Sequence, residues 1–207
     1  MRREPIVAFD DLVTRAAALA VPGGRAILGV CGGPGAGKST LAARLVTALG
    51  DRAALVGMDG FHLAHAELVR LGRAERKGAP DTFDADGFVD LLRRLRTSND
   101  KIVYAPEFRR EIEEPIANAV PIPSDVPLVI TEGNYLLYWR AAKALIDEVW
   151  YLDPGRQVRR DRLLQRHIRY GRTAEQAADR TDGPDERNAR LVASTAPTAD
   201  LLLEKIE

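Results

Sequence analysis

At 207 residues the chain is long enough for one sizeable core with at most a small excursion from it, and 30 basic against 30 acidic side chains leave a formal net charge of zero. That balance removes the bulk attraction on which nucleic-acid or acidic-membrane binders rely, so neither partner is expected. A single cysteine excludes an internal disulfide, no apolar run approaches the ~18 residues of a membrane span, and residues 1–10 carry charges and a proline where a signal peptide needs an apolar centre, so a cytoplasmic location is expected.

Residues 9–20 are helix-like, with Leu12, Ala16 and Leu19 on one face and Pro22-Gly23-Gly24 to stop them. Ala26-Ile27-Leu28-Gly29-Val30-Cys31 reads as a buried parallel strand, with Cys31 an inert interior thiol. Residues 40–49 return to helical spacing through Leu41, Leu45, Val46 and Leu49. Between strand and helix lies Gly32-Gly33-Pro34-Gly35-Ala36-Gly37-Lys38-Ser39-Thr40, which matches G-x-x-x-x-G-K-[ST] at every fixed position. Glycines let the backbone turn its N–H groups inward, and the new helix adds the positive end of its dipole. The whole stretch is therefore expected to cradle a polyphosphate, with Lys38 on the β- and γ-phosphates and the Ser39 hydroxyl on a shared Mg²⁺.

Residues 53–58 read as a second strand that stops at Asp59-Gly60-Phe61-His62. In open parallel sheets ligands bind beyond the carboxyl ends of the strands, so Asp59 points toward the crevice of the phosphate loop; an ordinary Asp-Gly turn is the alternative. A helix over 64–71 and a polar loop over 73–81 precede an amphipathic helix over 83–96, with Phe88, Leu91, Leu92 and Leu95 on one stripe. Residues 101–127 are β-like pieces broken by five prolines and carry Tyr104, Glu107, Arg109 and Arg110; they either cover a substrate or form a surface hairpin.

Leu128-Val129-Ile130-Thr131 is the third strand, and again an acid, Glu132, stands at its end, followed by Gly133-Asn134-Tyr135. A helix over 137–146 and a fourth strand over 149–152 follow. Residues 157–170 are helical, and Arg159, Arg162, Arg166 and Arg169 share one face opposite Leu164 and Ile168. Such a face is either solvated or a clamp for phosphates. Short helices over 173–179 and 184–193 lead to a fifth strand at Leu201-Leu202-Leu203. The alternation predicts an α/β chain with a three-layer α/β/α arrangement around a mostly parallel five-stranded sheet. It forms one domain over 1–207, with an excursion at 101–127 and a helical lid at 156–180.

Together, Gly32 to Thr40, Met58-Asp59-Gly60-Phe61-His62, Val129 to Tyr135 and the arginine-rich helix resemble the P-loop kinases typified by uridine kinase, bacterial pantothenate kinase and phosphoribulokinase. Small bacterial members, labelled nucleoside/nucleotide kinase-like or linked to fructose transport, share Tyr104-Ala105-Pro106-Glu107-Phe108, Glu132 to Leu137 and Arg162 to His167. The resemblance implies that Asp59 accepts the substrate hydroxyl's proton, that Glu132 organises magnesium and its waters, and that Arg162 and Arg166, with Arg169 and Arg172, close a lid over the γ-phosphate. Asn188 would lie toward the adenine. The acceptor side would comprise Asp59, His62, Tyr104, Arg109, Glu132, Asn134 and Tyr135. Two departures leave the acceptor open: Gly60-Phe61-His62 is the pantothenate-kinase version although the chain lacks that enzyme's length, and Arg109 stands where the small relatives show an acid.

The expected function is ATP-dependent phosphorylation of a hydroxyl on a small metabolite, a sugar or sugar alcohol first, a nucleoside or pantothenate next. The rival class is a non-catalytic nucleotide-sensing protein; a GTPase-type switch lacks support, because Asn-Lys-x-Asp is absent and Asp84 to Gly87 follows no buried strand. A homodimer stays open.

Overall fold

The computed structural model describes residues 2–21, 23–97 and 100–207, the side chains of residues 2–6 excepted, so the proposed stop at Pro22 lies outside the described residues. In chain order the elements are β1 (Arg2–Val7), α1 (Phe9–Leu19), β2 (Ala26–Cys31), α2 (Lys38–Leu49), β3 (Ala53–Gly57), α3 (His65–Arg70), α4 (Ala85–Thr97), β4 (Ile102–Arg109), β5 (Glu114–Pro123), β6 (Leu128–Gly133), α5 (Arg140–Lys143), β7 (Glu148–Leu152), α6 (Arg156–Arg169), α7 (Ala174–Arg180), α8 (Glu186–Ala193) and β8 (Leu201–Ile206). The main sheet is wholly parallel, in the order β1-β8-β7-β2-β6-β3.

All five expected strands are present, and a sixth, β1, joins the edge against β8. Its Arg-Arg-Glu-Pro start shows no apolar run, because an edge strand needs one ladder only and tolerates proline. The inner strands are covered on both faces, which explains their unbroken apolar runs. Ile27 and Cys31 of β2 face the layer holding Phe88 and Leu92 of α4, while Leu28 and Val30 face Leu41 and Leu45 of α2 and Leu12 of α1. Burial pushes the Cys31 thiol up to about 11.

Two expectations change, and one stretch gains a role. The helix over 137–146 shrinks to Arg140–Lys143, because Tyr135, Leu136 and Leu137 are buried in succession, which a helix with one apolar stripe does not provide. On α6 it is Leu163 that packs inward, while Ile168 is exposed. Asp84 accepts the Gly87 N–H at 2.9 Å and so begins α4, which gives Asp84 to Gly87 a capping role.

The proline-broken excursion is an antiparallel hairpin of β4 and β5, with a register shift between Ala105 and Glu107. Its inner side chains, Val103, Ala105 and Ile122, are buried. Prolines are tolerated because each strand has only one partner. Gly60 lets the hairpin approach: a Cβ there would stand 2.5 Å from the Pro106 carbonyl oxygen. Among the described residues, no helix is long and apolar enough to cross a membrane.

Candidate active site

β2, at the centre of the sheet, delivers the chain at Cys31, and α2 starts at Lys38. Gly37 caps α2 in the left-handed region, φ 101°, a conformation that a side chain would strain. Lys38 is 8% exposed; its Nζ donates to Asn134 Oδ1 at 2.7 Å and to the Gly33 carbonyl at 3.2 Å. Burial holds its pKa below the ordinary lysine value, against the opposing pull of Glu132 and Asp59. Next to it Ser39 Oγ donates to Glu132 Oε1 at 3.0 Å. Burial, and then the neighbouring Asp59, push the Glu132 carboxyl above the usual range.

Asp59 sits in the turn Met58–Phe61 directly after β3. Arg110, from the hairpin turn, donates to Asp59 Oδ2 at 3.1 Å. Burial disfavours the carboxylate, but His62, Arg110, Lys38 and Arg166 outweigh it and hold Asp59 below the usual range. His62 Nδ1 lies 2.7 Å from the Asp59 carbonyl, which can only accept, so Nδ1 carries the proton. The His62 ring lies between Phe83 and Phe108, at centroid distances of 4.0 and 4.7 Å.

These groups line one cavity of about 810 Å³. Lys38, Ser39, Glu132 and Asn134 line it from the sheet end, Asp59 and His62 from the turn after β3, and Arg166 from α6, while Phe108, Arg110 and Glu113 of the hairpin with Ala74, Glu75, Lys77 and Gly78 make up what is here called the far wall. Lys38, Ser39, Asp59, His62, Glu132, Asn134 and Arg166 are thus brought together. The hydroxyl of Ser39 and the carboxylate of Glu132 are hard oxygen donors suited to Mg²⁺. No group of three or more His, Cys, Asp or Glu with metal-binding geometry exists among the described residues, so phosphate and water oxygens would complete the shell.

Four expected site residues lie elsewhere. Tyr104 is 46% exposed on the outer face of the hairpin, since alternation turns Val103 and Ala105 inward. Arg109 is exposed and pairs with Glu107 at 2.7 Å; the register shift between Ala105 and Glu107 reverses the phase of β4 and gives the cavity to Phe108 and Arg110. Arg162 donates to the Ala36 carbonyl at 3.0 Å and braces the phosphate loop from outside. Tyr135 is buried behind the wall, its hydroxyl donating to the Gly78 carbonyl at 2.6 Å. The arginine face of α6 is real, but Arg159 lies 3.8 Å from Glu186 and Arg162 is held by the loop, so mutual repulsion does not govern it.

Sequence reasoning missed the groups that hold the far wall. Arg180 donates to the carbonyls of Glu75, at 3.1 Å, and Lys77, while Asn188 shares the Gly78 carbonyl with Tyr135 at 3.1 Å. His167 Nε2 meets Asp185 Oδ2 at 2.7 Å on the same cavity's edge. The one available signal was Asn188, expected near the adenine; its amide is taken by Gly78 instead. Tyr135→Phe is expected to lower stability by about 1 kcal/mol, the worth of one neutral hydrogen bond, since Asn188 still satisfies the carbonyl. Denaturant unfolding checks this; an unchanged midpoint would show that the hydroxyl contributes nothing.

The comparisons with known proteins follow the same lines. The Phosphoribulokinase / Uridine kinase family matches residues 27–207. A Schizosaccharomyces pombe protein named "Putative uridine kinase C227.14" is 36% identical, over 97% of this chain and 92% of that one. A structure described as a "putative fructose transport system kinase" from Silicibacter sp. TM1040 superposes with a TM-score of 0.85 at 34% identity, covering 95% of this chain and 98% of that one. A pantothenate kinase of Limosilactobacillus reuteri is 29% identical over 61% of this chain and 48% of its own length.

Proposed function

From the premise that this chain belongs to the phosphoribulokinase/uridine kinase family and is an ATP-dependent kinase, we propose that it phosphorylates a hydroxyl of a sugar or sugar alcohol. The observation that carries this reading is that Asp59, kept ionised, faces the same cavity as Lys38 and the Ser39–Glu132 pair. Asp59 takes the proton of the acceptor hydroxyl as its oxygen attacks the γ-phosphorus of ATP; the bond from that phosphorus to the bridging oxygen breaks and ADP leaves. Lys38 exchanges Asn134 and Gly33 for phosphate oxygens, and Arg166 meets the charge that develops during transfer. Ser39 and Glu132 hold Mg²⁺, which when bound neutralises phosphate charge. The aromatic faces of Phe83 and Phe108, with His62, Glu113 and Asp59 in the same cavity, suit a small polyhydroxy acceptor.

The test is ADP release over a panel of sugars, sugar alcohols, nucleosides and pantothenate. At least one sugar or sugar alcohol should raise ADP release ~10-fold or more above the acceptor-free rate. Stimulation by nucleosides or pantothenate alone would replace the acceptor class, and stimulation by none would overturn hydroxyl transfer to these metabolites.

A further inference from the structure

Arg110 and Arg166 come from different elements, the hairpin turn and α6; both line the cavity, close enough for Arg110 to disfavour the charge of Arg166. Among the described residues the Arg166 guanidinium has no hydrogen bond or ion pair, and the one ion pair of Arg110 is with Asp59, at 3.1 Å. Lys38 lies close enough to bias the same carboxylate. Three cations thus converge on a region where Asp59 is the carboxylate paired with Arg110, while Glu132 acts on Lys38, and Asp185 and Glu113 act on Arg166, from within the same cavity. The carboxylates offset these charges in part, and a multiply charged anion placed between Arg110, Arg166 and Lys38 adds attraction that grows as the cavity dries. A terminal phosphate on the loop beside Lys38 supplies that anion, and its oxygens match two guanidinium forks. While Arg110 holds Asp59, moreover, the carboxylate is a poor proton acceptor.

We propose that Arg110 is a switching phosphate ligand, which holds Asp59 in the nucleotide-free protein and leaves it for the terminal phosphate of ATP, facing Arg166 across that group. One exchange then does two things. It adds a positive clamp to the transferring phosphoryl group, and it frees Asp59 at the moment the phosphate arrives. The inference rests on the nucleotide site proposed above but not on the acceptor, so binding alone tests it.

Calorimetric affinities for MgADP and for a non-hydrolysable ATP analogue with Mg²⁺ are measured in wild type, Arg110→Ala, Asp59→Asn and the double variant. Arg110→Ala should leave ADP affinity within ~2-fold and weaken the analogue ~10-fold, the loss expected for one charge-assisted contact. Asp59→Asn should tighten the analogue several-fold when Arg110 is present and not when it is absent. Equal effects of Arg110→Ala on both nucleotides, no effect on either, or an identical Asp59→Asn effect in both backgrounds would overturn the exchange. Retained ADP binding shows that each variant is folded, and Arg110→Gln repeats the measurement if Arg110→Ala is not. Failure of wild type to bind ADP would overturn the nucleotide site as well.

Discussion

Lys38→Ala is expected to lower phosphoryl transfer about 1,000-fold, the upper end of what removing one charge-stabilising donor costs, while the protein keeps a cooperative melting transition. The two effects separate because of where Lys38 stands. Its helix is anchored by Leu41, Leu45 and Leu49, all buried, and the ammonium itself is disfavoured by burial, as its lowered pKa records. Removing it therefore subtracts little from the fold and subtracts the phosphate contact entirely. Single-turnover assays and thermal melts on the same preparation check this; wild-type turnover would remove Lys38 from the chemistry, and loss of the transition would make its role structural.

Asp59→Asn should reduce turnover by about 100- to 10,000-fold, the usual contribution of a positioned general base, without weakening nucleotide binding. Asparagine keeps the shape of the turn and the carbonyl that orients His62, since that contact is to the main chain. The sign of the pH dependence follows from the same site. With Asp59 held below the usual carboxylate range in the nucleotide-free enzyme, its ionised form persists there down to and below ordinary carboxylate pKa values, so kcat/KM, which reports that state, is lost only as pH falls through the depressed pKa. Full turnover by Asp59→Asn on an accepted substrate would remove it as the base.

What was legible in the sequence was whatever depends on neighbours in the chain. The phosphate loop is nine consecutive residues whose role lies largely in their main chain. Asp59 and Glu132 were found because an apolar run marks where each strand ends, and Arg166 because helical spacing places it on the face turned toward that loop. The hairpin defeated the same reasoning. Which of Arg109 and Arg110 enters the cavity depends on the phase of β4, and the register shift between Ala105 and Glu107 lies between that residue pair and the buried Val103. Tyr135 follows a strand-end acid and yet turns into the core, held by Phe83 and Trp139, and nothing local marks that choice. Arg180, Asp185 and Asn188 arrive from the far end of the chain, so their partners at 75–78 and 167 are set by tertiary packing alone.

The far wall has a bearing on how this enzyme could diverge. Residues 75–78 are gripped by their carbonyl oxygens, through Arg180, Asn188 and Tyr135, and tied further by the side chains of Arg76 to Asp81 and Lys77 to Glu113, so the shape of that wall does not rest on the side chain of Ala74 or Glu75. Ala74 and Glu75 face the cavity without carrying those bonds by their side chains. New side chains at these two positions can change what the cavity accepts while the wall keeps its place and the phosphate-handling groups, rooted in the sheet, stay as they are. Acceptor preference and phosphate chemistry are thereby separable under mutation, which lets one scaffold explore substrates without first losing its turnover machinery.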